Sequence, residues 1–109
     1  MSKYFEEIND GNMNLDFLAK LDNAREIAGI PFRINSAFRT PEHNKEVGGK
    51  PNSSHLRGLA VDISSTDSRT RFIVLDALIK AGFNRIGVAK SFIHVDDDKD
   101  KSERVVWVY

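Results

Sequence analysis

The stretch "PNSSHLRGLAVDI" (51–63) holds a histidine, His55, and an aspartate, Asp62, and a second histidine, His94, follows in "FIHVD" (92–96). Imidazole and carboxylate groups both bind metals and carry protons, so three of them brought together could do chemistry. Asp62 lies inside "GLAVDI", whose apolar residues read as a buried strand, a setting where aspartate is normally depleted. Alternation along that strand sends Val61 and Ile63 to one face. Asp62 shares the other with Ala60 and Gly58, whose small size leaves room beside the carboxylate. His94 stands in the same relation to Ile93 and Val95. If the two strands are neighbours, Asp62 and His94 face a common space, which His55 reaches from the preceding turn. Two histidines and a carboxylate on a firm scaffold make a three-ligand zinc site whose fourth position stays open to water. Iron(II) or another divalent ion suits the same set. A satisfied core histidine and a capping aspartate are the ordinary explanations of such residues, and spacing alone does not separate them from ligands.

The elements that must position these side chains follow from periodicity and punctuation. From Asn14, an N-cap, the residues Leu15, Leu18, Leu21 and Ile27 recur near one helical face until Gly29. "IPFRINSAF" (30–38) alternates as a strand, with Pro31 near its start where a missing N–H is tolerated. "TPEHNKEVGG" (40–49) offers a threonine N-cap, proline at the first helical position and a double-glycine stop, hence a short helix. "SRTRFIVLDALIKAGF" (68–83) predicts a second long helix, with Phe72, Leu75, Leu78 and Ile79 inward and Gly82 ending it. "RIGVA" and "FIHVD" are short strands close enough for a hairpin, and "RVVWVY" (104–109) is a last strand. The expected fold is α+β: a mainly antiparallel sheet packed by two longer helices, in a single domain spanning 1–109.

Bulk composition narrows the function. Sixteen basic residues balance sixteen acidic ones, which leaves no basic footprint for a nucleic-acid partner. With no cysteine there is no disulfide, no thiolate nucleophile and no cysteine-bound zinc. The start "MSKYFEEINDGNMNLDFL" lacks the apolar core of a signal peptide, and no stretch approaches the roughly 18 apolar residues of a membrane span. A protein that is cytoplasmic as made, and monomeric, is the expectation.

"SSHLRGLAVD" fits Ser-x-His-x-x-Gly-x-Ala-x-Asp through Ser53, His55, Gly58, Ala60 and Asp62. That pattern resembles the zinc-binding signature of the D-alanyl-D-alanine metallopeptidases, which are related to the sonic hedgehog zinc fold. The family includes zinc D-Ala-D-Ala carboxypeptidases and L-alanyl-D-glutamate endopeptidases. The upstream "SAFRTPEHNKEVGG" and downstream "FIHVD" are similar to the same family, so the resemblance spans Ile34 to Asp96 in three ordered blocks.

The resemblance implies that His55, Asp62 and His94 hold Zn2+. It also implies that Arg39 grips a substrate carboxylate or the developing oxyanion, and that Ser53 hydrogen-bonds the substrate. A guanidinium fork suits a carboxylate in a way lysine does not, although an Arg39–Glu42 surface pair is the plainer reading of the sequence. Ser53 reads equally as a turn cap. The family's acidic residue three before the last histidine, or histidine two before it, is here Ser91 or Phe92. The general base is therefore expected at Asp96, two residues past His94 on the same strand face, with Asp97 or His43 as substitutes. Trp107 and Tyr109 read as packing on the last strand. The implied activity is hydrolysis of peptidoglycan stem peptides or D-Ala-D-Ala-type peptides, with a phage or prophage enzyme among the sources. The alternative is a non-catalytic, metal-stabilised peptidoglycan-binding module.

Overall fold

Asn14 opens the first helix: its side chain accepts a hydrogen bond from the Phe17 N–H at 2.9 Å, and Gly29 closes the helix in the left-handed region. In this computed structural model, which describes residues 2–109, that helix is α1 (Leu15–Ala28). After it come β1 (Ile34–Ser36), α2 (Pro41–Glu46), a 3-10 turn (Ser54–Arg57), β2 (Ala60–Ser64), α3 (Ser68–Lys80), β3 (Arg85–Val88), β4 (Phe92–Asp96) and β5 (Val105–Val108). Thr40 and Asp67 cap α2 and α3 by accepting backbone N–H bonds from His43 and Thr70. Among the described residues, no helix is long and apolar enough to cross a membrane.

The five strands form one sheet in the order β1-β2-β4-β3-β5. All neighbours are antiparallel except β3 and β5, so the sheet is mixed but mainly antiparallel, as expected. The α+β class expected from sequence is the one found. On one face Val61, Ile63, Ile86, Ile93 and Val95 are fully buried in the core shared with α1 and α3. Each such side chain contributes roughly 1.5–3 kcal/mol by leaving water. A one-residue slip would turn that apolar set outward, so the same burial that stabilises the sheet fixes its register. The register then sends Asp62 and His94 together to the opposite face.

Two details depart from the sequence reading. The first strand is shorter than Ile30–Phe38: β1 keeps only Ile34–Ser36, and its pairing with β2 is irregular between those residues. The chain leaves the sheet at Ala37, and that departure frees the Ala37 carbonyl and the Arg39 N–H for His55. The helix faces are also rotated. α3 buries Val74, Ala77 and Leu78 while Phe72 and Ile79 are exposed, and in α1 Leu15 and Ile27 are exposed. Phe72 and Ile79 lie about 100–120° round the helix from Leu78, on the edge of the covered stripe.

Candidate metal centre and its cavity

One register row crosses all five strands: Ser36 pairs with Asp62, Asp62 with His94, His94 with Gly87, and Gly87 with Trp107. Asp62 and His94 are thus cross-strand partners. His55 joins them from the 3-10 turn, where Ser53 caps by accepting the His55 N–H and Gly58 closes the turn at φ 68°. A side chain at Gly58 would collide with the Asn12 carbonyl, which accounts for glycine at that place in the motif. All three residues are buried, and their ligating atoms lie within 4.8 Å of one another.

The hydrogen bonds decide which ring nitrogens face inward. His55 Nδ1 lies 2.7 Å from the Ala37 carbonyl, which can only accept, so Nδ1 carries the proton and Nε2 presents a lone pair to Asp62 Oδ1 at 3.2 Å. His94 Nε2 donates to Asp96 Oδ2 at 2.8 Å, which turns Nδ1 toward the same Asp62 oxygen at 2.9 Å. With neutral rings, three acceptors converge with no donor between them. Only a proton or a cation satisfies them, and an oxygen with two imidazole nitrogens is a donor set for zinc or a related divalent ion. The residues present therefore fit such an ion.

The charges tell the same story. Burial disfavours the charged form of Asp62, yet the His55 and His94 imidazoles against it outweigh burial and hold the carboxyl well below its usual range. For His94 burial opposes charge, and the bonds to Asp62 and Asp96 overcome it, raising its pKa. Without a metal, the proton between Asp62 and His94 stands where the ion would bind.

Asp96 lies on the strand face expected of it, and its carboxylate is engaged there. It is on the His94 face and borders the cavity, but its Oδ2 takes the His94 Nε2 proton while Oδ1 accepts from Arg85 Nε at 2.6 Å and from the Asp98 N–H at 3.2 Å. Its pKa is lowered: burial pushes it up, and the bonds from His94, Arg85 and Asp98 pull it further down. The carboxylate sits behind the ring as a partner that fixes the ligand's tautomer and angle, instead of standing free as a proton acceptor. The other candidates for that task lie elsewhere. His43 is exposed on α2 near Glu46, and Asp97 pairs with Lys20 and Lys99.

Arg39 pairs with Asp62, not with Glu42. Its Nη2 lies 3.4 Å from Asp62 Oδ2, while Ser36 Oγ and Asn44 Oδ1 hold Nε and Nη1. The centre opens on a cavity of about 570 Å3, bordered by Ser53 as well. Its charged lining is four cations, Arg39, Lys50, Arg85 and Lys101, against the carboxylates of Asp62 and Asp96, although the whole chain is neutral. An anionic ligand is favoured there.

Asp98 is not among the residues singled out from the sequence, where it is one of several charges between Asp96 and Lys101. The side chain is fully buried and accepts from Ser54 Oγ at 2.8 Å and Arg57 Nη2 at 3.0 Å, clamping both flanks of His55. Its own N–H holds Asp96, whose carboxylate in turn holds the His94 ring, so one loop residue supports the surroundings of both histidines. Asp98→Ala is expected to cost about 1–3 kcal/mol, read as a lower urea midpoint at unchanged slope, and to weaken metal binding. A variant with the parent's midpoint and metal affinity would contradict that role.

A buried two-histidine, one-aspartate group beneath an open cationic cavity is a donor set that could hold a divalent metal ion. The peptidase M15 family profile matches residues 2–96, and the chain belongs to that family. No individual curated protein matches it.

Proposed function

We propose that this protein is a zinc peptidase acting on the stem peptides of bacterial peptidoglycan, as a D-Ala-D-Ala carboxypeptidase or an endopeptidase. The observation that carries the reading is the convergence of His55 Nε2, His94 Nδ1 and Asp62 Oδ1 under a cationic cavity, in a chain of the peptidase M15 family. When bound, zinc supplies Lewis acidity, polarising a carbonyl and making water nucleophilic at neutral pH. The remaining work falls to the chain. Arg39, held rigid by Ser36, Asn44 and Asp62, presents its guanidinium to a substrate carboxylate or to the charge developing on the scissile oxygen. Ser53 shapes the His55 turn and offers its hydroxyl at the cavity wall. Asp96 holds the Nε2 proton of His94 and orients the ring.

Because orientation is assigned to Asp96, Asp96→Asn is expected to weaken zinc affinity about 10–100-fold while leaving most turnover at saturating zinc. Chelator competition and kcat measured across a zinc titration check this. Unchanged affinity with turnover lost would return the role of proton acceptor to Asp96.

The second reading is a metal-stabilised module that binds cell-wall peptide without cutting it. What favours it is that the two carboxylates bordering the cavity, Asp62 and Asp96, are both engaged. Release of new amino groups from purified peptidoglycan separates the two readings.

A further inference from the structure

β5 and the residue after it lie outside the residues matched to the family, and they bring two aromatic side chains, Trp107 and Tyr109, to the cavity. Trp107 is half-buried and Tyr109 is exposed, and both rings pack at the sheet edge, Trp107 against His94 and Tyr109 against Phe92. Gly87 is what lets them in. A Cβ at Gly87 would stand 2.6 Å from Trp107 Cε2 and 2.8 Å from Tyr109 Cε2, so the strand between β4 and β5 is emptied of side chain where the rings lie. Across that gap the indole comes within 5.6 Å of the His94 ring, and the Arg85 guanidinium covers the indole at 5.1 Å. The two rings stand 6.5 Å apart at 66°. They make a corner, not a flat shelf.

The register row orders the site: Ser36, which holds Arg39, is at one end, Asp62 and His94 are in the middle, and Trp107 is at the other end. A peptide whose terminal carboxylate lies at Arg39 therefore directs the residue that donates the scissile carbonyl toward Trp107. The separation from His94 is about that of one to two extended residues, at roughly 3.3 Å each. A corner of two aromatic faces encloses a branched or short aliphatic side chain. A sugar ring prefers one broad face with polar partners at its rim, and here Arg85 and Asp96 are already committed to each other. We propose that Trp107 and Tyr109 form a specificity subsite for an aliphatic side chain on the acyl side of the scissile bond. This rests on the peptidase reading for the direction of the substrate.

Trp107 is the single tryptophan of the chain, so its emission reports the corner without any need for turnover. The probes are N-acetyl-X-glycine dipeptides with X as glycine, alanine, valine or leucine in both configurations, mixed with zinc-loaded protein and read before hydrolysis. Emission is expected to shift to the blue at millimolar peptide. From glycine to valine, Kd is expected to fall about fourfold for each added carbon. Tyr109→Ser, at an exposed position, is expected to flatten that gradient. Equal Kd across the series, a motionless emission, or a response to N-acetylglucosamine in place of the peptides overturns the proposal. Hydrolysis followed in the same samples keeps the two readings apart. A gradient without cleavage removes the peptidase and keeps the corner, whereas cleavage without a gradient does the reverse.

Discussion

Alanine at His55 is expected to abolish metal binding and hydrolysis together. The protein supplies three ligand atoms, and whole-site zinc affinities of about 10–16 kcal/mol divided among so few donors make each worth roughly a few hundredfold to several thousandfold. The loss is compounded at this position. The ring also anchors the departure of the chain from β1, because its Nδ1–H bonds the Ala37 carbonyl. Removing it loosens the segment that carries Arg39. His94→Ala is expected to give the same loss of metal for a different reason, since Asp96 and Arg85 would then face an empty strand position. His43→Ala is the control, because that histidine is exposed on α2 away from the centre. Isothermal titration with zinc, alongside peptide hydrolysis, checks all three variants. Full zinc affinity in His55→Ala, or its loss in His43→Ala, would contradict the assignment.

The second large effect is a change with pH in what metal does for stability. In the metal-free protein the His94 pKa is raised from its ordinary 6.5. Its stabilising proton is therefore fully present below about 6.5, and the contribution is lost as pH rises through the raised value. Asp62 and Asp96 are lowered from 3.8, so their contribution is present above that value and lost as pH falls through the lowered ones. The metal-free protein should be most stable between roughly pH 4 and 6.5 and weaken above. Zinc needs the same sites deprotonated, so it competes with the proton at low pH and replaces it at high pH. At a hundredfold excess over Kd zinc adds about 2.7 kcal/mol, which in a domain of this size is roughly 10–20 °C in Tm. A rise of that order is expected at pH 8, with only a few degrees at pH 5. Calorimetry of stripped and loaded protein across that range checks it, and a larger zinc effect at pH 5 would contradict it.

Much of the centre was legible because it rests on local rules. Strand alternation placed Asp62 and His94 on the face opposite Val61, Ile63, Ile93 and Val95, and that same alternation is what the core enforces. Asn14, Thr40 and Ser53 cap where side-chain chemistry says they should. What was not legible depends on partners distant in the chain. Whether Asp96 points into open space or at the His94 ring is decided by Arg85, brought beside it by the β3–β4 register. Asp98 looks like one more residue of a charged loop until Ser54 and Arg57 are seen folded against it. The Ala37 carbonyl, which sets the His55 tautomer, has no signal in sequence at all. Trp107 reached the cavity only because β5 adds in parallel beside β3 and Gly87 makes way, a long-range pairing that hairpin reasoning does not reach.

The most direct measurement is made on chelator-stripped protein reloaded with zinc and incubated with a defined peptidoglycan stem peptide, with metal content and product masses read on the same sample. One zinc per chain, cleavage at a single bond, and loss of both in His55→Ala is the expected result. Zinc bound at that stoichiometry with the stem peptide left intact, or cleavage that persists after the metal is removed, would contradict it.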